Sequence, residues 1–397
     1  MKPIIYSLEE HKIPFTKIDK HAYYVIEKLR QEGFIAYLVG GSVRDLLLQL
    51  SPKDFDITTS AKPEEIRRLF SNCILIGRRF RLAQIRFGRK ILEVATFRAG
   101  DPDDSSLIIR DNIWGNPEED VLRRDFTING LFYNPENQTI IDYVGGFTDV
   151  EKKILRTIGK PEVRFQQDPV RMIRLIKFHA RFNFQIEEET YQALVSCKLE
   201  IKKSSQARIL EELLRMLESG YSETFFHLLK THGIFSLLFP HPTQPIEIEK
   251  KIYEYLQQVD HFHRKHPFVK LDRAVLLSCL LFPIFEQKLL SFPGAHLGIV
   301  TEKAQQFITE FFHPFFKISH RIRISLTSIL VHQYRILPQD RSTVSRMKRI
   351  PKDPCFYLAL EFFQLRSQMD PTLVRLYTEW HSVFLKNPHR KKRNDSF

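Results

Sequence analysis

Two aspartates separated by one residue are the first feature of this chain whose type and spacing could do chemistry. Asp54 and Asp56 stand in "KDFDITT", and on a β-strand their side chains share one face. Phe55 and Ile57 then point to the opposite face, toward a core. Two carboxylates this close repel each other, and oxygen ligands on one face suit Mg²⁺, which is typically shared with substrate phosphates. A solvated strand end is the alternative interpretation.

A glycine pair stands about a dozen residues before the aspartates. In "YLVGGSVRD", Gly40 and Gly41 join an apolar strand to a helix that Ser42 is predicted to cap. Glycines let the backbone approach a ligand closely, and the amino end of a helix favours phosphate. Arg44, one turn into the helix, can contact the same anion. Together with the aspartates this pattern describes a nucleoside triphosphate site, although a tight turn with a surface arginine is the alternative.

Two later segments combine acidic and basic side chains: Arg123, Arg124 and Asp125 in "LRRDFTING", and Asp168, Arg171 and Arg174 in "QDPVRMIRLIKF". The second set is spaced by three residues and is predicted to lie along one helix face. An aspartate beside an arginine presents an acceptor and a donor together, which could read the edge of a nucleobase. A helix salt bridge is the alternative for each set.

The composition is that of a globular protein with a polyanionic partner. The net charge of +13 favours nucleic acid, an anionic membrane or a phosphate-rich substrate. The four cysteines are scattered singly, which argues against a zinc knuckle or a disulfide framework. The longest apolar stretch, 274–285, contains Pro283 and is predicted to be a buried helix, since it is too short to span a bilayer. With no leader-like segment at the start, we expect a cytoplasmic protein.

The elements that must position these residues change in type along the chain. Several segments of the first 150 residues carry clear signals: a helix at 18–33, strands at 34–39 and 139–144, and a hairpin of 81–88 with 91–97. Beyond Gly159 helical patterns dominate to about residue 385. The prediction is an α/β part followed by an all-α part. Residues 386–397 are predicted to be a basic, disordered tail that contacts RNA or a membrane surface, or is merely solvated.

Several motifs resemble, in order, those of the class II nucleotidyltransferases, a family of bacterial poly(A) polymerases and CCA-adding tRNA nucleotidyltransferases: "YLVGGSVRDLLL" with "KDFDITT", "EVATFR", "RRDFTING" and "DPVRMIRLIKF". The segments "NCILIGRRFRLAQIRFG", "ISHRIRISLTSIL" and "DPCFYLALEFFQLRSQ" are similar to the poly(A) polymerase branch. The resemblance covers roughly residues 15–385. It implies a polymerase-beta-like nucleotidyltransferase head with a small mixed β-sheet at 15–158, a helical neck at 159–225 and a helical body and tail at 226–385, with RNA bound by the helical parts.

The resemblance also implies an activity: template-independent transfer of AMP from ATP to RNA 3′ ends, with release of pyrophosphate and two Mg²⁺ held by Asp54 and Asp56. It marks Asp125 as a third catalytic carboxylate, with Glu93 as a rival for that role. The remaining residues are expected at the nucleotide: Gly40, Gly41, Ser42 and Arg44 at the triphosphate, Arg123 and Arg124 nearby, and Asp168, Arg171 and Arg174 at the adenine or sugar-phosphate. CCA addition to tRNA is the first alternative, and a catalytically silent RNA-binding protein on the same scaffold is the second.

The chain departs from the family pattern at two places. The neck motif of the family opens with Glu-Asp, and Gln167 takes the glutamate position here, which puts the fidelity of nucleotide selection in question. The basic tail is short, which would weaken RNA affinity. The chain also has no His-Asp hydrolase signature, so the phosphohydrolase activity attached to some CCA-adding enzymes is not expected.

Overall fold

The computed structural model of this chain describes residues 2–77, 82–99, 113–240, 244–337 and 350–386. The chain forms two compact units, Met1–Lys203 and Ser204–Phe397, called here the first and the second unit. The predicted basic tail lies, from residue 387 onward, outside the described residues.

The first unit is built on a mixed β-sheet. Its described strands are β1 Ile4–Tyr6, β2 Ala36–Val39, β3 Asp56–Thr59, β4 Cys73–Ile76, β5 Leu82–Phe87, β6 Lys90–Thr96, β7 Leu131–Asn134 and β8 Thr139–Asp142. They lie in the order β1-β8-β7-β2-β3-β6-β5-β4, and every described pairing in the sheet is antiparallel except β3 with β6. The predicted strands and hairpin are therefore confirmed within these residues.

Helices cover the sheet of the first unit and continue beyond it. They are α1 Leu8–His11, α2 Lys20–Gln31, α3 Gly41–Leu47, α4 Pro63–Leu69, α5 Pro117–Leu122, α6 Gly146–Lys152, α7 Pro161–Gln167, α8 Val170–Phe182 and α9 Glu188–Cys197. The first predicted helix is confirmed as α2, which Asp19 caps and which buries Ala22, Val25, Ile26 and Leu29 as its periodicity requires. A short parallel pair, β9 Ile154–Leu155 with β10 Gln185–Ile186, joins the segment after α6 to the segment after α8.

Two local predictions near the candidate site are wrong. Ser42 does not cap α3: the cap position is Gly40, and the Ser42 hydroxyl is buried and donates to the Val39 carbonyl at 3.2 Å. Asp168 does not share a helix with Arg171, because α7 ends at Gln167 and α8 begins only after Pro169, at Val170.

The described part of the second unit is helical. Its helices are α10 Gln206–Leu217, α11 Ser222–Thr231, α12 Phe235–Leu238, α13 Ile246–Lys265, α14 Arg273–Leu289, α15 Leu297–Phe312, α16 His320–Ile336, α17 Phe356–Met369 and α18 Val374–Leu385. The stretch 274–285 is buried throughout within α14, as predicted. Among the described residues, no helix is both long and apolar enough to cross a membrane. All four cysteines are free thiols.

Candidate active site

The Asp54–Asp56 pair lies at the start of β3, in the interior of the sheet. Both aspartates are exposed, while Phe55 and Ile57 between and after them are buried, as strand alternation predicts. β3 pairs in parallel with β6 at Ile57 opposite Val94, and one step earlier in this register Asp56 lies beside Glu93. Residues side by side in a ladder share a face of the sheet, so Glu93 joins the aspartates on one acidic surface.

The electrostatics of this surface favour a bound cation. The pKa of Asp56 is raised to about 6, first by partial removal from water and then by the negative charge of Glu93, with Asp54 adding to it and Arg124 opposing it. Among the described residues, no group of three or more His, Cys, Asp or Glu side chains is placed to hold a metal ion by itself. Mg²⁺ is commonly bound by one or two exposed carboxylates of a protein. Water and substrate phosphate supply its remaining ligands. The residues present therefore fit Mg²⁺.

The glycine turn lies at the end of β2, next to β3. Gly40 has a φ of 72° and a ψ of −126°, a conformation that glycine adopts without strain. A methyl group added at Gly40 would lie 3.4 Å from Nη1 of Arg124, and one added at Gly41 would lie 3.5 Å from Nη2 of Arg44. Two guanidinium groups therefore flank the turn, and one of them, that of Arg124, also lies within electrostatic reach of Asp56.

Arg44 is buried beneath the turn, and its donors are engaged by protein. Its Nε and Nη2 donate to the neighbouring Asp45 at 2.9 and 2.6 Å, and its Nη1 donates to Asn129 at 2.6 Å. The guanidinium also lies over the rings of Phe178 and Phe182 on α8, 5.1 and 4.7 Å from their centroids. This arginine supports the turn from below and ties α3 to α8.

Arg123 and Arg124 are held by one aspartate that the sequence motifs did not single out. Asp120 is fully buried, and its Oδ1 accepts from Nε and Nη2 of Arg123 at 3.0 and 2.8 Å. Its Oδ2 accepts from the same atoms of Arg124 at 3.1 and 2.6 Å. Burial alone would raise the pKa of Asp120, but Arg124 and Arg123 outweigh it and lower that pKa. The carboxylate fixes both guanidinium groups as a pair.

Asp125 is buried and fully engaged. Its Oδ2 accepts from Nε and Nη2 of Arg174 at 2.7 and 2.6 Å, and its Oδ1 accepts from Asn129 Nδ2 at 3.0 Å and from the Phe126 amide at 2.9 Å. Burial opposes ionisation, but Arg174 and these donors hold the pKa of Asp125 far below its usual range. Asn129 thereby bridges Arg44 and Asp125, and the three side chains connect the glycine turn to α8.

The last predicted set of site residues is divided by the structure. Asp168 is half-buried between α7 and α8, whereas Arg171 is buried and donates to the carbonyls of Arg164 and Arg123, both at 3.0 Å. Arg174 is partly exposed and pairs with Asp125. The side chains of Arg171 and Arg174 thus contact the Arg123–Asp125 segment. Asp168 lies near them because it precedes α8 in the chain.

Two residues of the site escaped prediction. Asp120 lies three and four residues before the two arginines it binds, which is the spacing of a helix ion pair, so a signal was present. Asn129 carries only a weak signal, four residues after Asp125, because its other partner is 85 residues away.

Comparison with known proteins places the chain in a family. Residues 36–156 match the model of the poly(A) polymerase head domain, and residues 183–244 match one described as a probable RNA- and SrmB-binding site of polymerase A. Poly(A) polymerase I of Salmonella typhi is 34% identical over 397 aligned residues, covering 95% of this chain and 84% of that enzyme. This chain belongs to the bacterial poly(A) polymerase family. The resemblance read from its motifs is therefore confirmed.

CCA-adding enzymes are also similar in sequence to this chain, but over a smaller part of it. That of Lactobacillus helveticus is 39% identical over 211 residues, which cover 51% of each chain. The solved CCA-adding enzyme of Bacillus stearothermophilus in complex with CTP superposes with a TM-score of 0.61 at 24% identity, over 91% of this chain and 82% of that one. This likeness confirms the predicted fold class, a nucleotidyltransferase head with a mixed sheet followed by helical parts.

Proposed function

We propose that this protein is a template-independent polynucleotide adenylyltransferase that adds AMP from ATP to RNA 3′ ends and releases pyrophosphate. The observation that carries the proposal is the similarity to a poly(A) polymerase I along nearly the whole chain, in contrast to the 51% covered by the CCA-adding relative. The site supports it, because an acidic strand end, a glycine turn and paired arginines meet at one end of the interior strands β2 and β3.

The chain's own residues have distinct parts in this reaction. The Gly40–Gly41 backbone receives the triphosphate, and Arg124 beside it supplies positive charge. Arg123 is held next to Arg124 by the same carboxylate, so both charges are in place before the nucleotide arrives. Arg44 and Ser42, both buried, hold the turn in shape. Asp168, which is partly accessible, is the group we assign to the adenine or the sugar.

Asp54 and Asp56 would hold Mg²⁺, which on binding lowers the pKa of the RNA 3′-hydroxyl and neutralises charge on the departing pyrophosphate. We propose Glu93 rather than Asp125 as the third carboxylate of this set. Glu93 is exposed on the same face as Asp56 and raises its pKa by its charge. Asp125 has both oxygens engaged by Arg174, Asn129 and the Phe126 amide, so its part is to orient these groups.

RNA would be bound by the helical parts through phosphate contacts, which suits the net charge of +13 and the match of residues 183–244. Affinity for RNA should then fall steeply as the salt concentration rises. We place the protein in the cytoplasm, where ATP and RNA 3′ ends are available.

The test is incorporation by the purified protein with Mg²⁺ on two acceptors, with each of the four nucleoside triphosphates alone and with CTP and ATP together. The acceptors are an unstructured RNA and a tRNA transcript that ends before CCA. Long extension of the unstructured RNA with ATP, and poor use of CTP, is the expected result. Addition of CTP and ATP that stops after completing CCA on the tRNA would move the protein to the CCA-adding branch. No incorporation on either acceptor would leave an RNA-binding protein without activity.

A further inference from the structure

Three consecutive residues of the first unit are each held by a different arginine from α7 or α8. The contacts are these: Arg171 Nη2 to the Arg123 carbonyl at 3.0 Å, Arg164 Nη2 to the Arg124 carbonyl at 2.8 Å, and Arg174 Nε to the Asp125 carboxylate at 2.7 Å. A backbone carbonyl accepts from any donor whatever the side chain of its own residue. These bonds therefore set where the segment lies, independently of what its side chains bind.

Gln167 joins two of these arginines. Its Oε1 accepts from Nη1 of Arg164 and, at 3.4 Å, from Nη1 of Arg171. Arg171 Nη1 also donates to the Arg164 carbonyl at 3.0 Å, so the three side chains form one hydrogen-bonded group across the α7–α8 junction. We call Arg164, Gln167 and Arg171 the neck latch. The acceptor at the centre of the latch is the uncharged amide of Gln167. It therefore does not neutralise the positive charge of the two guanidinium groups, as a carboxylate there would.

The neck latch is too deeply buried for its first two members to touch a substrate. The exposed fraction is 1% for Arg164 and 3% for Gln167. Arg164 Nε has no hydrogen-bond partner among the described residues. Burial, followed by the charge of Arg171, lowers the pKa of the Arg164 guanidinium. Burying the Arg164 guanidinium costs desolvation free energy. We therefore expect its benefit to lie in residues 123–125, whose backbone it holds.

We propose that Arg164 and Gln167 are positioning residues of the nucleotide site, which act through the backbone of residues 123–125. Holding the Arg124 carbonyl keeps the Arg124 guanidinium beside the glycine turn, where the proposed function places the triphosphate. The inference rests on that function for its kinetic consequence only, since the hold on the backbone is a property of the protein without substrate. Loss of the latch lets the segment move, and the arginine pair then meets ATP in a broader range of positions.

The test compares Arg164→Met with Arg366→Met in the full chain. Arg366 is the matched control, because it is also a buried arginine that donates to a glutamine, Gln333, but in the second unit. We expect Arg164→Met to raise the KM for ATP about tenfold, the loss expected for one displaced charge-assisted contact, while Arg366→Met leaves it unchanged. Arg164→Lys, which keeps the charge and one donor, should recover part of the loss.

Hydrogen–deuterium exchange separates the latch from the proposed activity. The amides of Arg124 and Thr127 donate to the Val121 and Arg156 carbonyls, and their exchange should accelerate in Arg164→Met but not in Arg366→Met. Unchanged exchange of residues 117–131 in Arg164→Met would overturn the inference, whatever the kinetics. If the wild-type protein incorporates no nucleotide, the proposed function fails, and exchange alone still decides whether the latch holds the segment.

A second variant keeps the inference testable if Arg164→Met does not fold. Gln167→Glu has the same shape and places a carboxylate between the two guanidinium groups, so it should tighten the latch. The expected results are slower exchange of residues 117–131 and a higher thermal midpoint of the first unit. Exchange that is unchanged or faster in Gln167→Glu would refute the positioning role.

Discussion

Replacing Asp120 by asparagine should destabilise the first unit and weaken the use of ATP together. The buried carboxylate accepts two bonds from Arg123 and two from Arg124, and it also accepts from the Arg98 amide at 3.2 Å. Asparagine has the same shape but only one acceptor oxygen. Its amide NH₂ would face one of the guanidinium groups, donor against donor, and the charge that neutralised both arginines would be gone.

The expected loss follows from the burial of the partners. Breaking a buried ion pair on one side costs about 3–5 kcal/mol. The side chains of Arg123 and Arg124 are 21% and 19% exposed and can regain some water, so we expect the lower end, about 3 kcal/mol. For a urea slope of about 2 kcal/mol per M, the unfolding midpoint would fall by about 1.5 M. The KM for ATP should rise as well, because the arginine pair beside the glycine turn is no longer held.

The assay uses the fact that the chain has two tryptophans, one in each unit. Trp114 lies in the first unit, bridged by its backbone to Arg98, and a Trp380→Phe background leaves it as the single reporter of urea unfolding. The control is Asp260→Asn, which removes an equally buried carboxylate that accepts from Ser222 in the second unit. It should leave the Trp114 transition and the KM for ATP unchanged.

The effect of pH on the Asp120→Asn midpoint shift tests whether the carboxylate charge holds the two arginines. Because Arg124 and Arg123 lower the pKa of Asp120 in the folded protein, its stabilising contribution is present at neutral pH and is lost as the pH falls below about 4. The difference between the wild type and Asp120→Asn should therefore shrink in acid. A midpoint shift of under about 0.5 M at pH 7, or a shift that stays the same in acid, would show that the carboxylate is not the element that holds the two arginines.

Three further predictions concern the proposed metal site, and a fourth concerns one close backbone contact. Asp54→Ala combined with Asp56→Ala should abolish AMP incorporation with an unchanged circular dichroism spectrum, and substantial residual activity would count against the metal assignment. Since the pKa of Asp56 is raised to about 6 in the metal-free protein, protons compete with Mg²⁺ below that value, and the Mg²⁺ concentration that gives half-maximal incorporation should rise as the pH falls through it. Glu93→Gln removes a negative neighbour and should lower the pKa of Asp56 in the metal-free protein, so an unmoved Asp56 titration by NMR would contradict the pairing of the two carboxylates. Gly146→Ala should lower the stability of the first unit by about 3 kcal/mol or more in urea unfolding, because the added methyl group would lie 2.1 Å from the Thr127 carbonyl oxygen, and a neutral effect would mean that the α6 junction can shift.

The sequence predicted what depends on local periodicity. The alternation around Phe55 placed both aspartates on the open face of a strand, and the apolar spacing of α2 marked its buried side correctly. The change from strands to helices near Gly159 was equally visible, because the two patterns have different periods. These features need only neighbours along the chain, and a single sequence contains that information.

What could not be predicted is which charged groups pair over long distances. Arg44 has the spacing of a ligand-binding side chain, yet in the fold it is buried against Asp45 and Asn129. Asp125 stands in the motif as a catalytic carboxylate would, but Arg174, 49 residues away, engages it. Sequence spacing gives the type of each group and not the direction in which it points. Our proposal of Glu93 rather than Asp125 as the third carboxylate therefore depends on the register of β3 with β6.

The parallel pair of Ile154–Leu155 with Gln185–Ile186 bears on how enzymes of this kind can be recombined. Next to it Arg156 forms ion pairs with Asp149 and Glu187, so the seam between the segment after α6 and the segment after α8 is closed by both backbone and charge. A crossover placed where the strands give way to helices would cut through this seam and leave each half with unmatched partners. A crossover after Lys203, where the first compact unit ends, would transfer the whole seam intact. Chimeras designed to transfer nucleotide preference from one family member to another should therefore exchange the whole first unit, Met1–Lys203.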